Sequence, residues 1–537
     1  MSNIFEQLIK KRGFGAEFLK PRYEDLMDPY FLPGMEQAVE RVRQAVDKGE
    51  RVLIYGDYDA DGVTASALME ETLKLAGVLP ERIKIMLPDR FKDGYGMSAR
   101  LVTGAKDFEA NLVITVDCGS RNHAIIEELG DLGVDTIVTD HHETDVEMPA
   151  AVAVLNPKRQ DSPTPELVDL AGVGVAFKLA QALVREGLIP AGQEKWLLDL
   201  VLIGTICDSM QMTGENRILC YFGMMVLDKT RRLGLKELMR RAGVKKIHSE
   251  AIGFQIGPRI NAAGRLETAD LALNLLRARS APEAAALAEQ LEELNKKRRA
   301  EQISATREIK ERGVSDAPVI VEAGHWHEGI TGIVAGRLVE DYQRPAFVLT
   351  EVAGGEYKGS GRSFGDYSLA RALEYASDVI IGGGGHAGAA GVRVDGRQLD
   401  EFRKRVNEYY RSLKLRDQAK YLKQTADLVL EDFSGLTLEL LEELRSLEPY
   451  GPGNEEPIFR LSGVKIASVA KMGAEEQHLR LELLDKYGKF LKVVAFYAPE
   501  EWLELTPDDQ IEPIVKLVEN EWNGVRSLEG RVCDIVR

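Results

Sequence analysis

The chain has 537 residues, 44% of them apolar and 29% charged, so it is too long for one hydrophobic core and too apolar for extended disorder. Its formal net charge of −17 excludes a protein that coats nucleic acid through a broad basic surface. The excess is uneven: from Lys420 onward 14 Lys and Arg face 23 Asp and Glu, a balance of −9, so the front of the chain is nearer neutrality and a metal-lined acidic cleft stays compatible with a phosphodiester substrate.

Residues 1–45 read as an N-terminal helical segment. MSNIFEQLIKKRGF lacks the apolar core of a secretory signal and no later run approaches the ~18 apolar residues of a spanning helix, so a cytoplasmic protein without a membrane partner is expected. Cys118, Cys207, Cys220 and Cys533 have no paired spacing and read as buried thiols, not as a zinc ribbon or a disulfide framework.

Over 46–278 the stretch RVLIYGDYDADGVTASALMEETLKLAG predicts an apolar strand, a turn rich in Asp and Gly, and a helix. NLVITVDCGS, VDTIVTDHH and AVAVLNPK follow at α/β spacing, which predicts a mostly parallel sheet. Ligands bind such sheets beyond the carboxyl ends of the strands, where Asp57, Asp59, Asp61, Asp117, Asp140, His141 and His142 fall. Val168–Met225 and Lys236–Leu276 look mainly helical, and Ala281–Arg312 predicts a long helix connecting two units, within 279–314. A second α/β pattern over 315–414 runs through APVIVEAG and PAFVLT to IGGGGHAGAAGV. From 420 to 537, LVLEDF, LSGVKIASVA, HLRLELLD, KFLKVVAFY and IEPIVKLVENEW alternate as short strands and predict a small β-barrel.

Carboxylates and imidazoles are the natural ligands of hard or borderline divalent ions, and two such ions ~3.5–4 Å apart can activate a water and stabilise a leaving oxygen. Four blocks, each expected at a strand end, offer such ligands. Asp57, Asp59 and Asp61 read equally well as a ligand set or as a helix cap with solvated acids. Asp117 closes a buried run, and by itself a turn aspartate is the simpler reading. Asp140-His141-His142 is different, because two adjacent imidazoles beside a carboxylate rarely serve packing. Asp208 closes LIGTIC and takes its weight from the other three blocks.

Phosphates need fixed donors, and arginine offers planar bidentate ones. Arg90 and Tyr95 in PDRFKDGYG, Arg259, Asn261 and Arg265 in GPRINAAGR, and Ser360, Arg362 and Ser363 in KGSGRSFGDYSL together read as phosphate seats. The basic run Lys296-Lys297-Arg298-Arg299 is either a solvated helix face or, where the long helix spans a cleft, a guide for a strand's backbone. His325, His327 and Glu328 read as a structural element between domains, because no other carboxylate has suitable spacing.

With these motifs in hand, the chain resembles the DHH phosphoesterase superfamily and, within it, the RecJ branch of single-strand-specific exonucleases, over nearly its whole length. YGDYDADG is similar to the family's first motif, VDCG to the second, TDHHE to the third, and GTICDSM with GENR to the fourth, where Cys207 and Ser209 flank Asp208 in place of the commoner alanine and valine. The resemblance implies two Mn²⁺ or Mg²⁺ ions on Asp59, Asp61, Asp117, His141 and Asp208, with Asp57 a further ligand, Asp117 bridging, and His142 facing the scissile phosphate. It identifies GGGGHAGAAG, with His386, as the signature of a DHH-associated domain that closes over the cleft, its glycines a nest of N–H groups around an anion. It makes the acidic C-terminal part, with PYGPGNEEPIF, an oligonucleotide-binding-fold domain that guides DNA or meets proteins. The implied activity is stepwise 5′-to-3′ release of mononucleotides from single-stranded DNA in repair and recombination, by a monomer with single-strand-binding protein or a helicase as candidate partners. Two rivals remain at this stage: a phosphoesterase for short oligonucleotides, cyclic dinucleotides or polyphosphate, which chain length disfavours, and a non-catalytic scaffold, which the filled ligand positions disfavour.

Overall fold

The computed structural model describes residues 2–93, 96–415, 425–474 and 476–536, and three sheets follow one another along the chain. The first is parallel: β1 (Val52–Tyr55), β2 (Ile83–Met86), β3 (Leu112–Val116), β4 (Asp135–Thr139) and β5 (Ala153–Leu155) lie in the order β2-β1-β3-β4-β5. β1 is apolar throughout because both its faces are covered: Val52 and Ile54 enter the core on one side, Leu53 and Tyr55 the core on the other. The strand order reverses between β1 and β3, which run in register from Val52 against Leu112 to Tyr55 against Thr115. The helix after β1, α1 (Ala60–Leu75), and the helix after β3, α2 (His123–Asp131), therefore cover opposite faces, and a crevice is left at the carboxyl ends of the two strands.

Helices α3 (Gly172–Arg185) and α4 (Leu198–Cys207) pack on the α1 side. Asp208 does not follow a strand, as its apolar run led us to expect; it follows α4. Every residue from Leu198 to Thr205 is buried, and a helix covered all round carries no apolar–polar period to distinguish it from a buried strand. Helix α5 (Gly257–Leu266) leads to α6 (Ala281–Arg312), the long helix with the bounds expected for it, about 48 Å at 1.5 Å per residue. Ala288 and Leu291 of α6 join the first core, whereas Ala305 and Ile309 join a cluster with Ile330 and Val334, so one helix is packed into both halves.

The second sheet has the order β6-β7-β8-β10-β9, from β6 (Ile320–Gly324), β7 (Ala346–Val352), β8 (Glu356–Arg362), β9 (Gly382–Gly385) and β10 (Ala389–Asp395). Only β6 and β7 are parallel. The tetraglycine is not the curled anion nest expected of it. It is the extended edge strand β9, paired antiparallel with β10, and His386 is exposed in the turn between them, its N–H donating to Ala389 O at 2.8 Å. A run of four glycines extends readily once a partner strand fixes its backbone, and an edge strand needs no side chains to pack.

The third sheet contains β11 (Leu428–Leu430), β12 (Ile458–Leu461), β13 (Val464–Met472), β14 (His478–Leu484), β15 (Phe490–Ala495), β16 (Gln510–Trp522) and β17 (Val525–Val536). β16, β13, β14, β15 and β17 pair in succession, and β17 returns to β16, closing a five-stranded barrel. Its core takes in Phe5 and Leu8 of the N-terminal helix Asn3–Arg12, which is also tied down by Ser2 N–H on Glu443 and by Arg12 on Asp427 at 2.7 Å. The helix Met35–Lys48, by contrast, buries Met35, Ala38, Val39, Val42 and Ala45 against the parallel sheet. Among the described residues no helix is long and apolar enough to cross a membrane.

Candidate metal centre and phosphate-binding cleft

The crevice at the ends of β1 and β3 is where the acidic blocks meet. Asp59 caps α1, its Oδ1 accepting from Asp61 N–H at 3.0 Å and Gly62 N–H at 3.1 Å, so the cap is present, but Asp57 and Asp61 are buried and not solvated as that reading expected. The same acids also stand close enough to other ligand atoms to hold a cation. Oxygens of Asp57, Asp59 and Asp117 lie within 4.8 Å of one another, and so do ligand atoms of Asp61, His141 and Asp208 and of Asp117, His141 and His142. Asp117 Oδ1 is 3.2 Å from His141 Nε2, which is 3.6 Å from Asp208 Oδ2 and 3.9 Å from Asp61 Oδ2. Asp117 thus belongs to two groups, at the centre of the cluster.

Its position is set by strain. Asp117 has φ 62°, a left-handed conformation that costs a non-glycine residue on the order of 1–2 kcal/mol and turns the carboxylate from the strand into the crevice. Asp57 Oδ1 and Asp117 Oδ1 are buried without a hydrogen-bond partner. Burial, followed by the neighbouring negative charges, pushes Asp57 up to about 8, Asp61 to about 7 and Asp208 to about 8, and Asp117 well above the carboxylate range. Burial and the His142 charge push His141 down to about 3, leaving it a neutral imidazole. Crowded buried carboxylates, two orphaned oxygens and a neutral imidazole are the donor set of divalent cations, and the residues present fit two of them.

Asp140 is not in that set. Its Oδ1 accepts from His141 N–H at 2.7 Å and from His142 N–H at 3.1 Å and meets His142 Nδ1 at 2.8 Å, while its Oδ2 accepts from Ser120 N–H at 2.9 Å. Burial opposes charge on His142, but the Asp140 hydrogen bond and charge, with Asp57 and Asp208, outweigh it and hold His142 up at about 9. The carboxylate of the Asp-His-His block is therefore an orienting group for the second histidine. Asn156 completes the loop, its amide donating to Ser120 Oγ and to His142 O.

Sequence reasoning also missed two glycines. A Cβ on Gly172 would lie 2.5 Å from Asp117 Oδ1, and one on Gly204 2.6 Å from Asp61 Oδ1, so α3 and α4 press their backbones against the ligand carboxylates. The amides of Gly172 and Val173, at the start of α3, donate to Asp61 at 2.7 and 2.9 Å. The only signal was a pair of glycines, AGVGV and LIGTIC, inside helical patterns.

The expected phosphate seats divide into braces and open cations. Arg259 binds Glu292 at 2.6 Å and Gln255 O at 2.7 Å; Asn261 Oδ1 accepts from Ala60 N–H at 2.9 Å; Ser363 donates to Tyr367 O; and Ser360 shares a hydrogen bond with Thr331 at 3.2 Å. These contacts hold the cleft's walls. Tyr95 lies outside the described residues. Arg90, Arg265 and Arg362 come together from three segments, and among the described residues none of them pairs with a carboxylate. Arg90 lies over the Tyr58 ring at 5.0 Å. Burial and the charges of Arg90, Arg362 and Arg298 push Arg265 down to about 9, and burial and Arg90 lower Arg362. Three half-buried cations with no carboxylate in salt-bridge contact among the described residues, beside a cluster of potential metal ligands, can seat an anion. The second half of the chain meets this wall directly: a Cβ on Gly329 would overlap Arg265 O, and His327, which accepts from Gly329 N–H at 3.1 Å, packs edge-on against Phe91 at 5.3 Å.

Comparison with known proteins agrees with this geometry. The DHH family N-terminal domain matches residues 51–205, the DHHA1 domain 316–412 and the RecJ OB domain 427–534. The single-stranded-DNA-specific exonuclease RecJ of Bacillus subtilis (strain 168) is 36% identical over 99% of this chain and 67% of its own length. RecJ of Escherichia coli (strain K12) is 33% identical over 98% of this chain and 94% of its own. Crystal structures of RecJ from Thermus thermophilus in complex with Mn²⁺ and with Mg²⁺ superpose with TM-scores of 0.85 and 0.79, at 31% and 28% identity, over 100% of this chain and 76% and 75% of those chains.

Proposed function

The chain belongs to the RecJ family of DHH proteins, and from that membership we propose that it is a metal-dependent single-stranded-DNA exonuclease that releases mononucleotides from the 5′ end. The observation that carries the chemistry is a pair of neighbouring ligand groups, linked through Asp117 and His141, which also stand together with His142. Asp57 and Asp59 complete one group with Asp117, and Asp61, His141 and Asp208 form the other. Divalent ions held by these residues would lower the pKa of a bound water and offset charge building on the phosphate.

The side chains do the rest. Asp140 fixes the His142 ring through Nδ1, which leaves Nε2 to meet a phosphate oxygen as negative charge develops. Arg90, Arg265 and Arg362 grip the strand's phosphates, and the braces formed by Arg259, Asn261, Ser360 and Ser363 keep those arginines in place. His386, exposed on the edge of the second sheet, is left as an outlying substrate contact. An enzyme specific for single strands needs its substrate unpaired, so we place it in the cytoplasm beside a helicase or a single-strand-binding protein in repair and recombination.

The test is digestion of end-labelled single-stranded DNA, blocked at one end or the other, in Mn²⁺. A 3′-blocked strand should be degraded to mononucleotides and a 5′-blocked strand should persist. Equal digestion of duplex, or cleavage confined to dinucleotides, would refute the proposal.

A further inference from the structure

The metal cluster opens to solvent on one side. Asp61 and Asp117 side chains are 1% and 3% exposed, whereas those of His142 and Asp208 are 29% and 30% exposed. Laid against the Asp208 side is a π-helical turn, Ile252–Ile256, that leads into α5. Its glycines set the approach: a Cβ on Gly253 would lie 3.7 Å from Ile206 Cγ2, and one on Gly257 would lie 2.4 Å from Cys207 Sγ, on the two residues before Asp208. The turn buries Ile252 and Ile256 and leaves Phe254, between them, 70% exposed. A wide turn of this kind is rare and concentrates at functional sites.

Other exposed rings continue from it. Glu250, one turn earlier, reaches Arg531 of the barrel at 3.4 Å, and that guanidinium lies 5.9 Å from the Phe496 ring. Phe496 and Tyr497, 54% and 77% exposed, pack edge-on to His478 at 5.4 and 4.7 Å. The rings thus lead from the open side of the ligand cluster, across the domain boundary, to the rim of the barrel.

We propose that Phe254, Phe496 and Tyr497 form a stacking track for the unpaired bases of the strand, with Phe254 nearest the scissile phosphate. This rests on the exonuclease reading and adds to it the part of the substrate that the arginines leave unrecognised. Arginines hold phosphates and leave the bases of the strand to other groups. Aromatic faces accept any base, so the track gives no sequence preference, and it offers nothing to a duplex whose bases are already stacked. The barrel's acidic balance disfavours a grip on backbone charge there, but leaves stacking unaffected.

The test combines base removal with ring removal in single-turnover digestion of single-stranded DNA in Mn²⁺. Abasic nucleotides at successive positions from the 5′ end should weaken half-saturation of the wild type about tenfold at one position or more. F254A should show that loss on the intact strand and no further loss at the position nearest the cut; F254Y should restore the wild-type pattern, and F254L, which keeps the bulk without the π face, should not. Y497A should remove the penalty at positions farther along. Y487A alters an exposed ring at the opposite end of the β14–β15 hairpin and should change nothing. Thermal melts of each variant separate misfolding from lost stacking. A wild type insensitive to abasic nucleotides, or an F254A protein that keeps the full penalty, overturns the track. Failure of the wild type to digest an intact strand would overturn the exonuclease reading instead.

Discussion

Replacing Asp117 by Asn tests whether this cluster is an ion site whose occupants hold it together. Asn accepts the left-handed φ of 62° almost as readily as Asp, so the backbone stays and only the charge goes. Asp117 shares a 4.8 Å sphere with Asp57 and Asp59, and two unit charges at that separation repel by about 3.5 kcal/mol at an effective dielectric of 20. Protons shared among the carboxylates cut that figure, so a net relief of about 2–3 kcal/mol is expected in chelator, or roughly 5 °C in melting temperature for the first domain. Mn²⁺ should reverse the order. Saturation to 100 times Kd adds about 2.7 kcal/mol per site to the wild type, whereas D117N has lost the ligand common to two groups and should gain less than half of that. Its digestion of single-stranded DNA should fall by about a thousandfold or more. Paired thermal melts in EDTA and in Mn²⁺, with activity measured on the same samples, decide the matter. A variant that melts lower than the wild type in EDTA and gains the full Mn²⁺ shift would show that Asp117 is a structural carboxylate.

Three further expectations follow from individual contacts. D140N removes the charge that orients His142, so turnover should drop about 10–100-fold while Mn²⁺ affinity by calorimetry changes little; a selective loss of Mn²⁺ binding would place Asp140 among the ligands instead. G172A forces a methyl group to 2.5 Å from Asp117 Oδ1 and should weaken Mn²⁺ binding about tenfold, whereas G174A, facing the movable end of Leu170 at 3.1 Å, should not; equal affinities for the two would refute the close-approach argument. On the barrel, hydrogen bonds from Arg445 and Arg526 hold Glu519 down at about 2 from an ordinary 4.5, so its pairing stabilises the fold fully above that ordinary value and is lost as pH falls towards 2. The melting-temperature deficit of E519Q should therefore be largest near pH 6–7 and shrink by half or more at pH 3, and a deficit that does not change with pH would refute the pairing.

How legible each feature was in the sequence depended on how local its physics is. The strands after which Asp57, Asp117 and His141 stand could be read, because a strand buried on both faces is a short apolar run. Asp208 was found but placed on the wrong element, since a helix buried all round writes the same letters as a strand. The Asp-His-His block stood out in the sequence, yet the orienting part of Asp140 depended on a backbone turn that brings it to three donors. Arginines were the least legible. Arg259 and Arg265 lie six residues apart on one helix, and only the carboxylate of Glu292, from another helix, makes the first a brace and leaves the second an open cation. Tetraglycine gave no warning that it would lie flat, because glycine's freedom lets the partner strand decide.

Burial of Phe5 and Leu8 in the barrel has a consequence for manufacture. The helix Asn3–Arg12 has hydrophobic partners, Leu440, Leu447 and Phe459 among them, more than four hundred residues later. At roughly 5–20 residues per second that is a delay on the order of twenty seconds to a minute and a half, during which the parallel sheet can fold while the helix lacks these partners. The helix and the barrel then close on each other like a clasp across the intervening chain, so a nascent chain halted before the barrel would carry a folded parallel sheet and a helix whose apolar face is still bare.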